Sequence, residues 1–498
     1  MVFMKNDKEQ IEIAVVGSGT AGFVAALLLK TAFPVLNIKL VSSSKIGIIG
    51  VGEGSTEHWK QFMNLCKIPL LDMIKETDAT HKYGIRFENW SNAHPDYFHS
   101  VSGDDQIFAY GLFPMYMGFI DNNMLLTNQT TSVGLIQNKI RVKNLHENTN
   151  QYHFDTNKLN KYFDKLCFER RIEKIDGEVK HVNINTETGN IDSIDLDDNT
   201  NVVADFWFDA TGFNRVLMTA LGNTEWESFK DYLLCDSAFA FPTESDPSKQ
   251  IRPYTRARAL SSGWAFEIPT VARRGNGYVY SSQHITEDKA VDEMSALLGI
   301  EVQPSKTFKF DPGYLKKSWV KNCASVGLSS SFVEPLEATS IGTSIMQMMM
   351  IVPYVASYQS YYEHSQNHYN KRMEAMMDNI LTMIRLHYHT DKTNSQFWID
   401  AKNAKLNEEL EDSLNLWKER TPTRYDFPNN SNQLFGGAHL IHVAQGQNVI
   451  NRDSIDPALV RMQLKGFVGD AMSQSRINRS NHELIDHREA LENIDVWQ

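Results

Sequence analysis

The chain has 498 residues, a formal net charge of −12 and a hydrophobic content of 42%. That length suits roughly two to four domains around a large core, and an acidic balance with no basic block argues against a nucleic-acid partner. Cys66, Cys167, Cys235 and Cys323 are scattered singletons without a CxxC pair, which points to reduced structural thiols and to neither a zinc site nor a disulfide framework. The most apolar stretch, residues 344–357, contains Gln347 and Pro353 and is shorter than the roughly eighteen residues of a membrane span. The opening MVFMKNDKEQ lacks the apolar centre of a signal peptide, so a cytoplasmic protein with no membrane segment is expected.

In IEIAVVGSGTAGFVAALLLK the apolar run Ile11 to Val16 meets Gly17, Gly19 and Gly22 and then an alanine- and leucine-rich segment. The pattern predicts a strand, a tight glycine turn and a helix. Gly17 suits the sharp turn, Gly19 admits a pyrophosphate close to the backbone, and Gly22 allows close helix–strand packing. The N–H groups at Thr20 and Ala21 then open a positive helix end toward the phosphates. The next strand, Ile38 to Val41, ends at Ser42 where an acid usually holds the adenosine ribose. This departure weakens NAD as a ligand more than FAD, which has many other anchors.

The loop SSSKIGIIGVGEG carries Gly50, Gly52 and Gly54 beside Ile48, Ile49 and Val51. A surface linker has no use for those apolar residues, so a loop folded over a cofactor is the favoured reading. A helix follows, with Ser55 or Thr56 as its cap. Alternation at Tyr83, Ile85 and Phe87 predicts a strand with Lys82 at its start; by itself such a lysine reads as a solvated strand end. Residues 92–148 are rich in aromatics, including Tyr97, Phe98, Phe108 and Tyr110, and suit either plain core or an aromatic pocket.

A helix capped by Asp155 or Thr156 leads into a three-strand meander with its turn at Glu187 to Asn190, an apolar strand and Ala210-Thr211-Gly212. Such an order commonly returns the chain to the nucleotide domain in glutathione-reductase-type flavoproteins. Asp236 to about Phe308 reads as mostly β. WVKNCASVGLSSSFVEPLEATSIGTSIMQMMM is strand, glycine loop at Gly327 and helix, with helical pattern to about Glu419 and less regular chain beyond.

The expected fold is therefore α/β, a glutathione-reductase-type FAD-binding Rossmann domain with an interleaved β-sheet substrate region and a helical C-terminal region. Residues 1–95 and 321–355 are its two FAD-binding parts. Residues 96–320 form the substrate region, returning to the FAD domain at about 150–215, and residues 356–498 form a mainly helical cap.

To about residue 450 these stretches together resemble a flavin-dependent halogenase of the tryptophan-halogenase family. The likeness rests on GxGxxG at Gly17 to Gly22, Lys82 before GIRFENW, WAFEIP at Trp264 to Pro269, and FVEPLEATS at Phe332 to Ser340. The resemblance implies FAD as FADH2, O2 and a halide ion, with a separate flavin reductase supplying reduced flavin. Lys82 is implied to receive hypohalous acid at the far end of a tunnel from the flavin, as a haloamine or as a hydrogen-bonding ammonium. Glu337 is implied to position the oxidant and take the ring proton, with Glu334 as its competitor. Thr339 and Ser340 stand at the halide site, Ser340 in place of the usual glycine. Trp264 matches the tryptophan that keeps substrate from the flavin, and Phe266 replaces a second one.

His99 and Val101 fall where the family has an HPF segment, and FGGAHLIHVAQGQNVI lacks the family's C-terminal tryptophan. A roomier site for a small indole or phenol is expected, with bromide or iodide used at least as well as chloride, and a homo-oligomer is compatible with the chain. A hydroxylating flavin monooxygenase and a catalytically silent flavin-binding protein are the alternatives.

Overall fold

The computed structural model describes residues 11–47, 50, 53–100, 138–141, 151–357, 363–427, 433–451 and 484–496, with 453, 456 and 458. Its nucleotide half is a six-stranded sheet in the order Trp319–Val320, Cys323–Ser325, Phe206–Asp209, Ile13–Val16, Ile38–Ser42 and Glu173–Asp176. Neighbours run parallel except for the antiparallel edge at Trp319–Val320. Central parallel strands are covered on both faces, and the residues of Ile13–Val16 and Phe206–Asp209 are all buried. This is the expected Rossmann-type α/β arrangement.

The glycine turn is set by crowding. Gly17 has φ +109°, and a Cβ there would stand 2.2 Å from the Ala210 carbonyl oxygen. A Cβ on Gly22, in the helix Thr20–Ala32, would stand 1.9 Å from the Gly17 oxygen. The meander Val179–Ile184, Ile191–Leu196 and Asn201–Val203 is antiparallel and feeds directly into Phe206–Asp209. Asp155 caps Thr156–Glu169, its side chain accepting from the Lys158 N–H.

The second large sheet has seven strands, ordered Lys306–Lys309, Ser237–Glu244, Arg273–Tyr280, Gly263–Pro269, Thr255–Leu260, Gly84–Glu88 and Asp96–Ser100. The mostly-β reading of this region misses one helix, Glu287–Leu298. Its ends carry ordinary signals, acids at Glu287 and Asp288 and a stop at Gly299 with φ +68°.

Two local expectations are corrected. The helix after the glycine loop begins at His58, with Glu57 before it and no side-chain cap bond. Ser55 instead accepts the Tyr152 N–H through its hydroxyl, because residues 53–54 are drawn into a small sheet with Gln151–Phe154. Lys82 does not start the strand Gly84–Glu88. It ends a separate strand, Thr80–Lys82, on the other side of Gln151–Phe154, and Gly84, at φ +149°, turns the chain toward the seven-stranded sheet.

The C-terminal region packs the helices Glu363–His387, Gln396–Asn403 and Glu408–Glu419. The stretch beyond Glu419, expected to be less regular, also contains a helix at Gly437–Gly446, whose buried residues Leu440, Ile441, Val443 and Ala444 supply an apolar face. Among the described residues no helix is long and apolar enough to cross a membrane, and all four cysteines are free and buried. Because the obstacle at Gly22 is backbone, Gly22→Ala should cost about 1–3 kcal/mol and abolish FAD binding. Denaturant unfolding and quenching of flavin fluorescence measure the two effects.

Candidate active site

A cavity of about 470 Å³ runs from the glycine turn to the seven-stranded sheet. Gly17 to Ala21 line one part with Ser42, Ser43, Gly177 and Glu178; Phe239, Trp264, Phe266 and Phe310 line another. A Cβ on Gly19 would meet nothing within 4 Å, so the first amides of a 13-residue helix face open space. An anionic linker favours such a helix end and a planar ring favours aromatic walls. These residues therefore fit FAD. Glu178 lines the cavity together with Ser42, its carboxylate paired with Lys180 at 3.1 Å.

Gly327, at φ +65°, closes the cavity against Ala21, where its Cβ would stand 2.4 Å from that of Ala21. Gly50 lines the same space. Gly52 and Val101 lie outside the described residues, as do Ile48, Ile49, Val51 and the aromatics Phe108 and Tyr110.

Neither Lys82 nor Glu337 is among the described residues lining this cavity. Between them and the cavity stand Gly54 and Ala338, which do line it. A Cβ on Gly54 would sit 3.6 Å from Ala338 Cβ, His153 Cδ2 and Lys82 Cδ alike. The small sheet explains the placement, because Gly54 pairs with His153 and Lys82 with Gln151 on one shared strand. Lys82 is 2% exposed, and its Nζ donates to the Ser55 carbonyl at 2.8 Å. Burial pushes the ammonium down to about 8, against the pull of Glu337 and Glu57.

Glu337 is buried in the one-turn helix Pro335–Glu337. Its Oε2 lies 2.8 Å from His99 Nδ1 and its Oε1 2.8 Å from His387 Nε2. Burial opposes its charge, yet the two imidazoles hold the carboxyl far below the usual range. On the far side of His387, Nδ1 faces the Tyr97 hydroxyl at 3.2 Å, which itself accepts from Gln447 Nε2 at 3.0 Å. Tyr97 donates to Nδ1, so His387 donates its Nε2–H to Glu337.

Glu334 is in the opposite state. It accepts from the Tyr388 hydroxyl at 3.0 Å, and burial pushes it up to about 7 although that bond pulls it back. Two glutamates three residues apart thus have proton affinities driven in opposite directions, the pattern that separates a base from a neutral acid.

Ala338, at φ +55°, turns the chain from Glu337 into the helix Thr339–Val355. Thr339 is buried, and Ser340 lines the cavity. The first N–H groups of a helix have no partner inside it, so this end offers donors to an anion. Trp264 and Phe266 line the same cavity, their ring centroids 6.0 Å apart.

Sequence reading missed His387, Tyr97 and Gln447 as a set, and also His439 and Glu57. His99 lies 2.8 Å from His439 through Nε2, and His439 Nε2 lies 3.4 Å from Glu57. Nothing in the spacing joins partners 50 to 350 positions apart. The one signal the chain offers is the pair His439 and His442 in the segment that lacks the family's tryptophan.

A family profile described as Tryptophan halogenase matches residues 12–463. The chain belongs to the tryptophan halogenase family. It is 29% identical over 434 residues to the tryptophan 7-halogenase RebH of Lentzea aerocolonigenes, covering 82% of each chain. To the 7-chloro-L-tryptophan 6-halogenase KtzR of Kutzneria sp. it is 28% identical over 449 residues, covering 82% of this chain and 85% of that one. The structure superposes on BrvH, a flavin-dependent halogenase from Brevundimonas sp., with a TM-score of 0.82 at 25% identity, covering 98% of this chain and 99% of that one. A tryptophan halogenase from Shewanella frigidimarina shares the fold with a TM-score of 0.88 at 24% identity, covering 98% of both. The protein is accordingly a flavin-dependent halogenase, an oxidoreductase of aromatic substrates that uses FAD and halide.

The depressed lysine has a stability consequence. Between pH 8 and 10.5 the unfolded chain keeps the Lys82 proton while the folded chain has lost it, so stability rises with pH through that window. Wild type should gain up to about 3 kcal/mol there relative to Lys82→Met, as urea unfolding of both proteins at stepped pH will measure.

Proposed function

We propose that the protein halogenates a small electron-rich arene, an indole or a phenol, with Lys82 holding the oxidant and Glu337 taking the ring proton. The observation that carries this reading is the burial of Lys82 and Glu337 together behind the wall that Gly54 and Ala338 make on the flavin cavity. When bound as FADH2, the flavin supplies reaction with O2 and oxidation of halide to hypohalous acid. Thr339 and Ser340, at the open helix end, hold the halide. A separate flavin reductase delivers the reduced flavin, and the protein works in the cytoplasm.

Lys82 acts as the ammonium form. Below its pKa of about 8 it donates to the oxygen of hypohalous acid, so that the halogen is attacked by the ring and the oxygen leaves as water. Glu337, ionised between two imidazole donors, accepts the proton from the ring carbon and returns it to Lys82. Glu334, only partly ionised at pH 7 because burial pushes it up to about 7, and bonded to Tyr388, takes no part in that step.

The protein, FAD, a flavin reductase, NADH and electron-rich arenes are incubated with each halide, and products are read by mass spectrometry. Lys82→Ala should abolish regioselective product while flavin reoxidation continues and free hypohalous acid leaks. Glu337→Gln should lower the rate roughly 100-fold or more without releasing FAD. Regioselective product from Lys82→Ala would overturn the assignment, and a halide-independent hydroxylated product would point to a monooxygenase.

The relatives RebH and KtzR are named for action on tryptophan or chlorotryptophan; this chain is proposed to act on simpler rings. In the segment where the family resemblance expects a tryptophan, His439 stands edge-on to His99 with ring centroids 5.0 Å apart, so apolar walling is reduced. Competition assays should show simple indoles or phenols preferred to L-tryptophan, and bromide or iodide used at least as well as chloride. Efficient single-isomer turnover of L-tryptophan would reject the substrate assignment.

A further inference from the structure

Glu337 is held by two histidines, and the outer side of each is fixed by one and the same helix. Gln447, directly after the helix Gly437–Gly446, donates to Tyr97, which sets His387. His439, in that helix, faces Nε2 of His99 at 2.8 Å. The helix lies so close to the strand Asp96–Ser100 that a Cβ on Gly446 would stand 2.4 Å from the Tyr97 ring.

His99 is 1% exposed, and burial lowers its proton affinity although Glu337 raises it. It is therefore neutral at pH 7 and carries one N–H. Facing a carboxylate, that proton belongs on Nδ1, which leaves Nε2 as an acceptor. The ring atom opposite Nε2 is His439 Nδ1, and it must donate. Glu57, a third open to solvent, lies 3.4 Å from the other nitrogen of His439 and stabilises a second proton there, so His439 donates from Nδ1 as an imidazolium.

Resting on the reading of Glu337 as the base, we propose that His439, backed by Glu57, is a positioning residue for that base. It fixes His99 as the Nδ1–H tautomer and so keeps the Glu337 carboxylate aimed and ionised. The logic is that of a base whose orienting group is itself oriented by a third residue. Among the described residues, the titratable groups around the pair are Glu337 and His387 on the inner side, His442 beside His99, and Glu57 and His58 at the start of the helix His58–Cys66, with Lys82 facing Glu57 and Glu337.

The test compares His439→Ala, which removes the donor, with His439→Gln, whose amide N–H retains one. In ¹⁵N-histidine NMR spectra, wild type and His439→Gln should show His99 as the Nδ1–H tautomer, whereas His439→Ala should show mixed tautomers. Halogenation by His439→Ala should fall roughly tenfold or more, with the acid limb of its pH–rate profile raised by about one pH unit. His439→Gln should stay within about threefold of wild type, because most of the effect of a positioning residue lies in its hydrogen bond.

Glu57→Gln should lower the pH at which His439 titrates. A His99 tautomer unchanged in His439→Ala, an amide variant as impaired as the alanine one, or an unmoved His439 titration in Glu57→Gln would each overturn the proposal. The NMR arm needs no turnover, so it is decided even if wild type proves not to halogenate. Should the alanine variant fail to fold, the glutamine variants and the wild-type tautomer still decide it.

Discussion

An ionised carboxylate with no access to water must be given its hydrogen bonds by the protein, and Glu337 imposes that demand on the rest of the site. One N–H comes from the seven-stranded sheet through His99, the other from the end of the long helix Glu363–His387. Neither element reaches the carboxylate unless the chain around residue 338 is held in place. Ala338 in the left-handed region does this: it turns Glu337 toward the two imidazoles and starts the next helix at Thr339. The proposed base and the proposed halide donors thus stand on either side of one strained residue. Their spacing is fixed by backbone geometry instead of by flexible side chains.

On the proposed reading, the same economy of elements separates oxidation from substitution. The strand Gln151–Phe154 pairs on one side with Glu53–Gly54, where Gly54 borders the flavin cavity, and on the other with Thr80–Lys82, which carries the lysine. A three-strand sheet therefore sets the distance between the two compartments and keeps the lysine dry. Dryness lowers the lysine pKa to about 8, while Glu337 and Glu57 keep it from falling further. On the proposed reading, a lysine in that condition donates a proton at neutral pH and takes it back from the glutamate.

Much of this was legible in the chain because it depends on local patterns. The run Ile13–Val16 followed by three spaced glycines specifies strand, turn and helix wherever it occurs, and the meander into Phe206–Asp209 has its turns written in Asp, Asn, Thr and Gly. What was not legible depends on distance. Lys82 reads as a strand start because alternation at Tyr83, Ile85 and Phe87 is read along one line, whereas the pairing of Thr80–Lys82 with Gln151–Phe154 and the turn at Gly84 show that two sheets meet there. Glu337 and Glu334 are alike in sequence, each beside an apolar residue, and differ only in what packs on them: two imidazoles against one phenol. The helix Glu287–Leu298 was missed in a region dominated by β alternation, although its first-turn acids and Gly299 stop were readable.

The helix Gly437–Gly446 shows what a change of wall chemistry entails. An apolar aromatic wall tolerates small shifts, since dispersion contacts fall off gently and have no required angle. A hydrogen-bond line through His99 and His439 has no such latitude, because a shift of half an ångström at 2.8 Å already takes it out of the normal range. The helix must then be pinned. The fit of Gly446 against the Tyr97 ring, with the Gln447 amide on the Tyr97 hydroxyl, pins it at its C-terminal end. On the proposed reading, replacing an aromatic wall by histidine relaxes the fit to the substrate and tightens the hold on the base. Selectivity for a particular ring then depends less on stacking and more on which ring carbon can reach both Lys82 and Glu337.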